Sequence, residues 1–169
     1  MADTVLRGRA HVFGDDINTD YIIAGKYTKT MEYAELAAHL LEDIDPEFAS
    51  RLHPGDIIVA GSNFGCGSSR EQAPLAIKQA GIGAVLAKSF SRIFFRNAIN
   101  LGMPALVCDT DGISAGDTLT VDLAAGAVVD ETTGARLDAE PLAPAMVAIL
   151  REGGLVAYLR KHGTFAVEE

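Results

Sequence analysis

Between Asp56 and Cys108 the chain alternates short apolar runs with amphipathic stretches, and this alternation narrows its fold more than any other feature. DIIVAGS (56–62) reads as a buried strand, 71–80 as a helix stopped by Gly81-Ile82-Gly83, and AVLAKS (84–89) as a second strand. SRIFFRNAINLG (91–102) is a second helix, with Ser91 as its N-cap candidate and Gly102 at its end. PALVC (104–108) supplies a third strand. This βαβαβ run calls for parallel strands joined by crossovers, with helices covering the sheet. The strands are short and continuously apolar, as strands buried on both faces are.

The flanks follow other rules. TLTVDL (118–123) alternates polar and apolar residues, and GAVVD and ARLD follow with a Thr-Thr-Gly turn between them, so an antiparallel extension is expected. The stretch 141–163 is helical, with a break at Gly153-Gly154. Ahead of the core, LRGRAHVF reads as a strand, GDDINTD as a polar loop and YAELAAHLLED (33–43) as a helix, and Asp45-Pro46 opens a further short helix. No linker divides the chain, and an apolar content of 49% is that of an ordinary globular protein. The expected fold class is α/β, a single domain over residues 1–169 with a mostly parallel βαβαβ core and an antiparallel β extension.

A formal net charge of −9 argues against a nucleic-acid surface or an anionic membrane face, since both need clustered Lys and Arg. No apolar run reaches the length of a membrane span, and MADTVLRGRAHVF lacks the apolar centre of a secretory signal. With two cysteines far apart, Cys66 and Cys108, the expectation is a cytoplasmic chain with free thiols.

One strand-to-helix junction is dense in reactive groups. GSNFGCGSSREQAP (61–74) leaves the carboxyl end of a parallel strand, where ligands bind in open α/β sheets. Its glycines permit positive φ and close backbone approach. The helix N-terminus that follows offers N–H groups to an anion, and Arg70 offers a fork that grips a carboxylate or phosphate bidentately. Ser68 and Ser69 add hydroxyls. Both also fit capping boxes, Ser68-x-x-Glu71 and Ser69-x-x-Gln72, so one of them is expected to serve as a cap only. Pro74 argues against capping, because it moves the regular helix downstream and leaves 68–72 as loop. Nucleotide loops fit poorly: no lysine completes a Walker A pattern, and Arg70 stands where G-x-G-x-x-G needs its third glycine. Cys66 beside Arg70 reads as an activated thiol or as a packing residue. His11, His39, His53 and His162 are scattered, and surface or helix-face roles are expected for them.

Three stretches together resemble the small subunit of 3-isopropylmalate dehydratase, in the aconitase superfamily. GSNFGCGSSREQAP resembles that family's signature, FGDDINTDYIIAGKY its Asn-x-Asp-Thr-Asp-x-Ile-Ile segment, and KSFSRIFFRNAINLGMP its Phe-x-x-Ile-Phe-x-x-Asn-x-x-x-x-Gly-x-x-Pro block. The resemblance implies a swivelling β/β/α fold and a chain that works beside a separate large subunit. It implies dehydration and rehydration of a small hydroxy di- or tricarboxylic acid, with a [4Fe–4S] cluster carried by the large subunit and no cofactor bound by this chain. Two cysteines agree with that placement, because a cluster with one open iron takes three thiolates.

By the same resemblance Ser68 is the catalytic base, Ser69 and Arg70 bind substrate carboxylate, and Asp20 is an active-site support. Asp20 equally suits a turn role in its own loop. The family's Tyr-Leu-Arg-Thr type loop here reads Tyr27-Thr28-Lys29-Thr30, which makes Thr28 and Lys29 substrate-binding candidates and replaces a bidentate grip with a point charge. The first-choice substrate is 3-isopropylmalate. Related alternatives are 2,3-dimethylmalate and a homoaconitate-type substrate, and an alternative of another class is a stand-alone anion-binding or regulatory domain.

Overall fold

The structure, a computed structural model, describes residues 4–27, 29 and 32–163. Its strands are β1 (Val5–Val12), β2 (Ile57–Ala60), β3 (Ala84–Ala87), β4 (Ala105–Val107), β5 (Thr118–Asp122), β6 (Ala127–Asp130) and β7 (Arg136–Asp138). They form one sheet in the order β4-β3-β2-β1-β5-β6-β7. β1 is the strand on which the sheet changes character. Its Ala10–Val12 half pairs in parallel with Ile57–Val59, while Val5–Arg9 pairs antiparallel with Thr118–Asp122. The β2–β3 and β3–β4 pairs are parallel, and β5–β6 and β6–β7 are antiparallel. The expected mixed sheet, parallel core plus antiparallel extension, is the one observed.

The helices are α1 (Thr19–Ile22), α2 (Tyr33–Ala38), α3 (Phe48–Arg51), α4 (Gln72–Gln79), α5 (Arg92–Asn100), α6 (Pro144–Arg151) and α7 (Leu155–His162). They bury the parallel strands from both sides. Ile58, Ala60, Val85 and Ala87 pack into one cluster with Ile22, Leu36, Ala73 and Ile77 of α1, α2 and α4. Their neighbours Ile57, Val59, Leu86 and Leu106 pack into a second cluster with Leu119, Val121, Leu150 and Tyr158. Two-sided burial explains why these strands read as continuous apolar runs. Each large buried aliphatic side chain contributes about 1.5–3 kcal/mol.

Several local expectations are corrected. The 33–43 stretch is helical only to Ala38, because Leu41 takes φ 56° and its N–H bonds Ile22 O at 2.9 Å. Leu40 and Leu41 are nevertheless fully buried, so the apolar pattern reported burial rather than helix length. The GDDINTD loop ends in α1, whose N-cap Asn18 accepts a hydrogen bond from Tyr21 N–H. Ser91 holds the N-cap position of α5 without a capping side-chain bond. His11 is not a surface group: it stands edge-on to Phe48 with Nε2 2.7 Å from Asp56 Oδ2. Burial alone would raise the Asp56 carboxyl, but its bonds to His11 and the His53 N–H hold it below the usual carboxylate range. Among the described residues, no helix is long and apolar enough to cross a membrane.

Candidate active site

The parallel pairing of β1 with β2 continues past the strand ends. Phe13 N–H bonds Val59 O at 2.7 Å and Gly61 N–H bonds Gly14 O at 3.1 Å. Further along, Asp16 N–H bonds Ser62 O (2.9 Å), Gly65 N–H bonds Ile17 O (2.7 Å) and Thr19 N–H bonds Cys66 O (2.9 Å). Asp15 and Asp16 add side-chain bonds to Ser62 N–H and Asn63 Nδ2. On its other side the same loop follows the exit of β3, with Phe64 N–H on Ser89 O and Ser91 N–H on Phe64 O, both at 3.0 Å. Loops leaving the carboxyl ends of β1, β2 and β3 therefore converge on one place.

Local sequence determines how the middle loop sits there. Gly65 has φ 81°, and a Cβ on it would overlap the Phe94 ring. Glycine thus lets the loop lie directly on the Phe64–Phe90–Phe94 aromatic cluster. Gly67, at φ 94°, then turns the chain so that Ser68 and Ser69 follow as exposed residues. α4 begins at Gln72, and Glu71 at its N-cap makes no side-chain capping bond. Neither serine caps α4, which corrects the capping-box expectation, and Glu71 remains an exposed, uncommitted carboxylate. Pro74 lies in the first turn, where a missing N–H costs nothing. The backbone N–H groups of Ser68 and Ser69 make no hydrogen bond within the described residues. They stand beside the positive end of α4, an environment that suits an anion.

Arg70 lies behind the serines. Its Nη1 is 2.6 Å from Asp20 Oδ1, with the arginine side chain 27% exposed and the aspartate 60% exposed. Nη1 itself is shielded from solvent and engaged by this ion contact, while the other guanidinium N–H groups make no hydrogen bond among the described residues. Asp20 thus holds Arg70 rather than capping its own loop, a task that Asn18 performs. The guanidinium also rests against Gly25, where a Cβ would stand 3.3 Å from Nη1.

The structure brings together Ser68, Ser69, Arg70 and Asp20. Lys29 is exposed and has no hydrogen bond or ion pair to the serine loop, and Thr28 lies outside the described residues. The 3-10 turn Gly25–Tyr27 precedes them in the chain, and its Tyr27 ring stacks on His39 at 4.0 Å. The residue reading missed Thr19, 2% exposed, whose Oγ1 donates to Ser68 O at 2.8 Å and lies 3.5 Å from Ser68 Oγ. It also missed Ser91 and Asn97, which line the far side of the shallow cleft beside Ser68. Asn97 was present as the asparagine of the KSFSRIFFRNAINLGMP block, and Thr19 as the middle residue of NTD. A larger hollow of about 680 Å³ lies next door along α5, lined by Ser91, Arg92, Ile93, Phe95 and Arg96, while the serine cleft itself is narrow, with room for only about 10 Å³.

Residues 9–110 match the Aconitase C-terminal domain family, a span that includes all of this machinery. The chain belongs to that family. It is 55% identical over 161 residues to 3-isopropylmalate dehydratase small subunit 2 of Archaeoglobus fulgidus, covering 95% of this chain and 98% of that one. It is 49% identical over 157 residues to the methanogen homoaconitase small subunit of Methanothermobacter thermautotrophicus, covering 93% and 92%. Its fold superposes on the crystal structure of 3-isopropylmalate dehydratase from Methanocaldococcus jannaschii with a TM-score of 0.90 at 48% identity, covering 94% and 95% of the two chains.

An iron–sulfur cluster, implied for the working complex by resemblance to this aconitase-type family, does not fit the residues of this chain. Cys66 is partly exposed and Cys108 is buried, with its thiol pushed up to about 11 by burial. Two thiols fall short of the three or four that a cluster requires. Among the described residues, no three His, Cys, Asp or Glu side chains converge as ligands of a metal ion.

Proposed function

We propose that this chain is the small subunit of a heteromeric hydro-lyase that isomerises a hydroxy dicarboxylic acid through its dehydrated intermediate, with 3-isopropylmalate as substrate. The observation that carries this reading is the junction of Ser68, its free neighbouring N–H groups and the Asp20-held Arg70 at the carboxyl ends of three parallel strands. Roughly 50% identity to small subunits of 3-isopropylmalate dehydratase supports the choice of reaction.

Ser69 and Arg70 bind a substrate carboxylate, and Ser68 Oγ, as an oxyanion, takes the proton from the carbon beside it. The proton ends on Ser68 Oγ, and the negative charge passes to the carboxylate that Arg70 grips. The loop N–H groups and the α4 dipole stabilise the oxyanion, more strongly once water is displaced. The large subunit would complete the site and carry the cluster, which would supply the Lewis acidity for loss of the hydroxyl. The free thiols of Cys66 and Cys108 fit a cytoplasmic complex. A homoaconitate-type substrate is the second reading. A homoaconitase small subunit at 49% identity favours it, as does Lys29, a point charge where the family's arginine is replaced.

The test is the purified two-subunit complex assayed on a panel of hydroxy diacids and triacids. Ser68→Ala should lower kcat by roughly 10²–10⁴-fold, with subunit association and cluster content near normal. A loss below tenfold, or a greater loss from Ser69→Ala, places the base elsewhere.

A further inference from the structure

We infer that Thr19 is a positioning residue for the reaction, holding the Ser68 hydroxyl in place and donating its own proton to Ser68 Oγ when that oxygen is anionic. The inference rests on the proposed role of Ser68 as base.

The geometry is specific. Thr19 is 2% exposed and opens α1, fixed by its N–H on Cys66 O at 2.9 Å and by the Asn18 cap before it. Its hydroxyl has one proton and two acceptors on the same residue: Ser68 O at 2.8 Å and Ser68 Oγ at 3.5 Å. With Ser68 neutral, the short bond to the carbonyl takes the Thr19 proton, and the Ser68 hydroxyl can donate to Thr19 Oγ1. That arrangement turns the Ser68 hydrogen inward and a lone pair outward to the cleft. With Ser68 anionic, the stronger acceptor is Oγ, and rotation about the Thr19 Cβ–Oγ1 bond brings the same proton to it. A charge-assisted bond is about twice as strong as a neutral one, so the switch is favourable at this part-buried contact. Gly67 makes the turn at this corner with φ 94°, a conformation glycine adopts without strain, and a Cβ there would only touch Thr19 Oγ1 and Asn18 Cβ at ordinary contact distance.

A role confined to bracing the loop predicts something different. Ser69 and Arg70 follow Ser68 directly, so a loosened loop would weaken substrate binding and raise KM. Loss of a donor to the oxyanion instead lowers kcat with little change in KM. It also moves the acid limb of the kcat/KM profile to higher pH, because the base is then harder to deprotonate.

The experiment compares Thr19→Val, which keeps shape and burial, with Thr19→Ser, which keeps the hydroxyl, in the assembled two-subunit complex, with Ser68→Ala as reference. Thr19→Val should lose about tenfold or more in kcat with KM within twofold, and its acid limb should shift upward. Thr19→Ser should restore kcat and the pH profile. If Thr19→Val fails to assemble, Thr19→Ser still decides, because a loss of tenfold or more in it overturns the inference. A Thr19→Val complex that changes only KM or thermal stability also overturns it. An active Ser68→Ala complex removes the underlying base assignment, and this inference with it, whereas an inactive Ser68→Ala beside a fully active Thr19→Val removes this inference alone.

Discussion

At the carboxyl ends of β1, β2 and β3, Ser68 and Ser69 are exposed, and neither their backbone N–H groups nor the Arg70 donors beyond its ion contact with Asp20 are bonded among the described residues. In the antiparallel half the comparable groups are committed. Asp122 accepts from Ala124 and Ala125 N–H, Asp130 from Thr132 and Thr133 N–H, and Thr132 Oγ1 from Thr118 N–H. Glu131 is gripped by Arg7 and Thr120. Both halves belong to one sheet and both are rich in turns and acids. What distinguishes the candidate site is polar capacity left open at converging loops, rather than charge density.

The sharpest way to break this comparison is to make one conservative change in each half. Arg70→Lys should raise KM of the complex about 10- to 150-fold, the equivalent of about 1.5–3 kcal/mol for one lost charge-assisted bond. Arg7→Lys, at an exposed fork on Glu131, should leave KM unaltered. Equal kinetics for Arg70→Lys and the parent would remove Arg70 from the site.

A smaller effect is expected at Thr28 and Lys29, the substrate-binding candidates of the Tyr27-Thr28-Lys29-Thr30 stretch. Thr28→Leu combined with Lys29→Arg should shift the kcat/KM ratio between 3-isopropylmalate and a homoaconitate-type acid by about tenfold, since a bidentate fork and a point charge select carboxylates differently. A uniform loss on every acid tested would deny the loop a selective role.

The smallest effect belongs to the antiparallel half. Asp117 and Asp130 are 6% and 1% exposed, and Asp130 Oδ2 has no donor. Burial first, and the nearby Asp117 next, push the Asp130 carboxyl above its usual range, while proximity to Asp130 and the Ser114 N–H hold Asp117 below. The Asp130 contribution is fully present below about pH 4 and is lost as pH rises through its raised folded value. Asp117 acts oppositely, contributing above about pH 4 and losing that contribution on acidification through its lowered value. Asp130→Asn, neutral at all pH, should raise Tm by about 2–4 °C at pH 7 and change it little at pH 4, read by thermal scans. A lower Tm at pH 7 would show that both carboxylates are better ionised than paired.

Much of the fold was legible because buried strands announce themselves. Ile57–Ala60 and Ala84–Ala87 are wholly buried on both faces, and glycines mark the ends of α4 and α5. Features determined by contacts between distant residues were not legible. The end of α2 depends on the Ile22 carbonyl reaching Leu41, and His11 is buried because Phe48 covers it. Within the site, motif spacing marked Ser68, Ser69, Arg70 and Asp20, yet capping patterns misread the serines because α4 starts later than they require. Thr19 was invisible as a partner of Ser68 because the two are 49 positions apart in the chain.

The rails that join 13–19 to 59–66 set a rule for how such a protein can change. A residue inserted in either rail would put the serine and its threonine out of phase, so these segments tolerate substitution but not altered length. The Thr28–Lys29 stretch lies outside the rails and carries no such restriction. On the substrate-binding role proposed for that stretch, the acid selected can therefore change there while the proton-transfer groups stay in register.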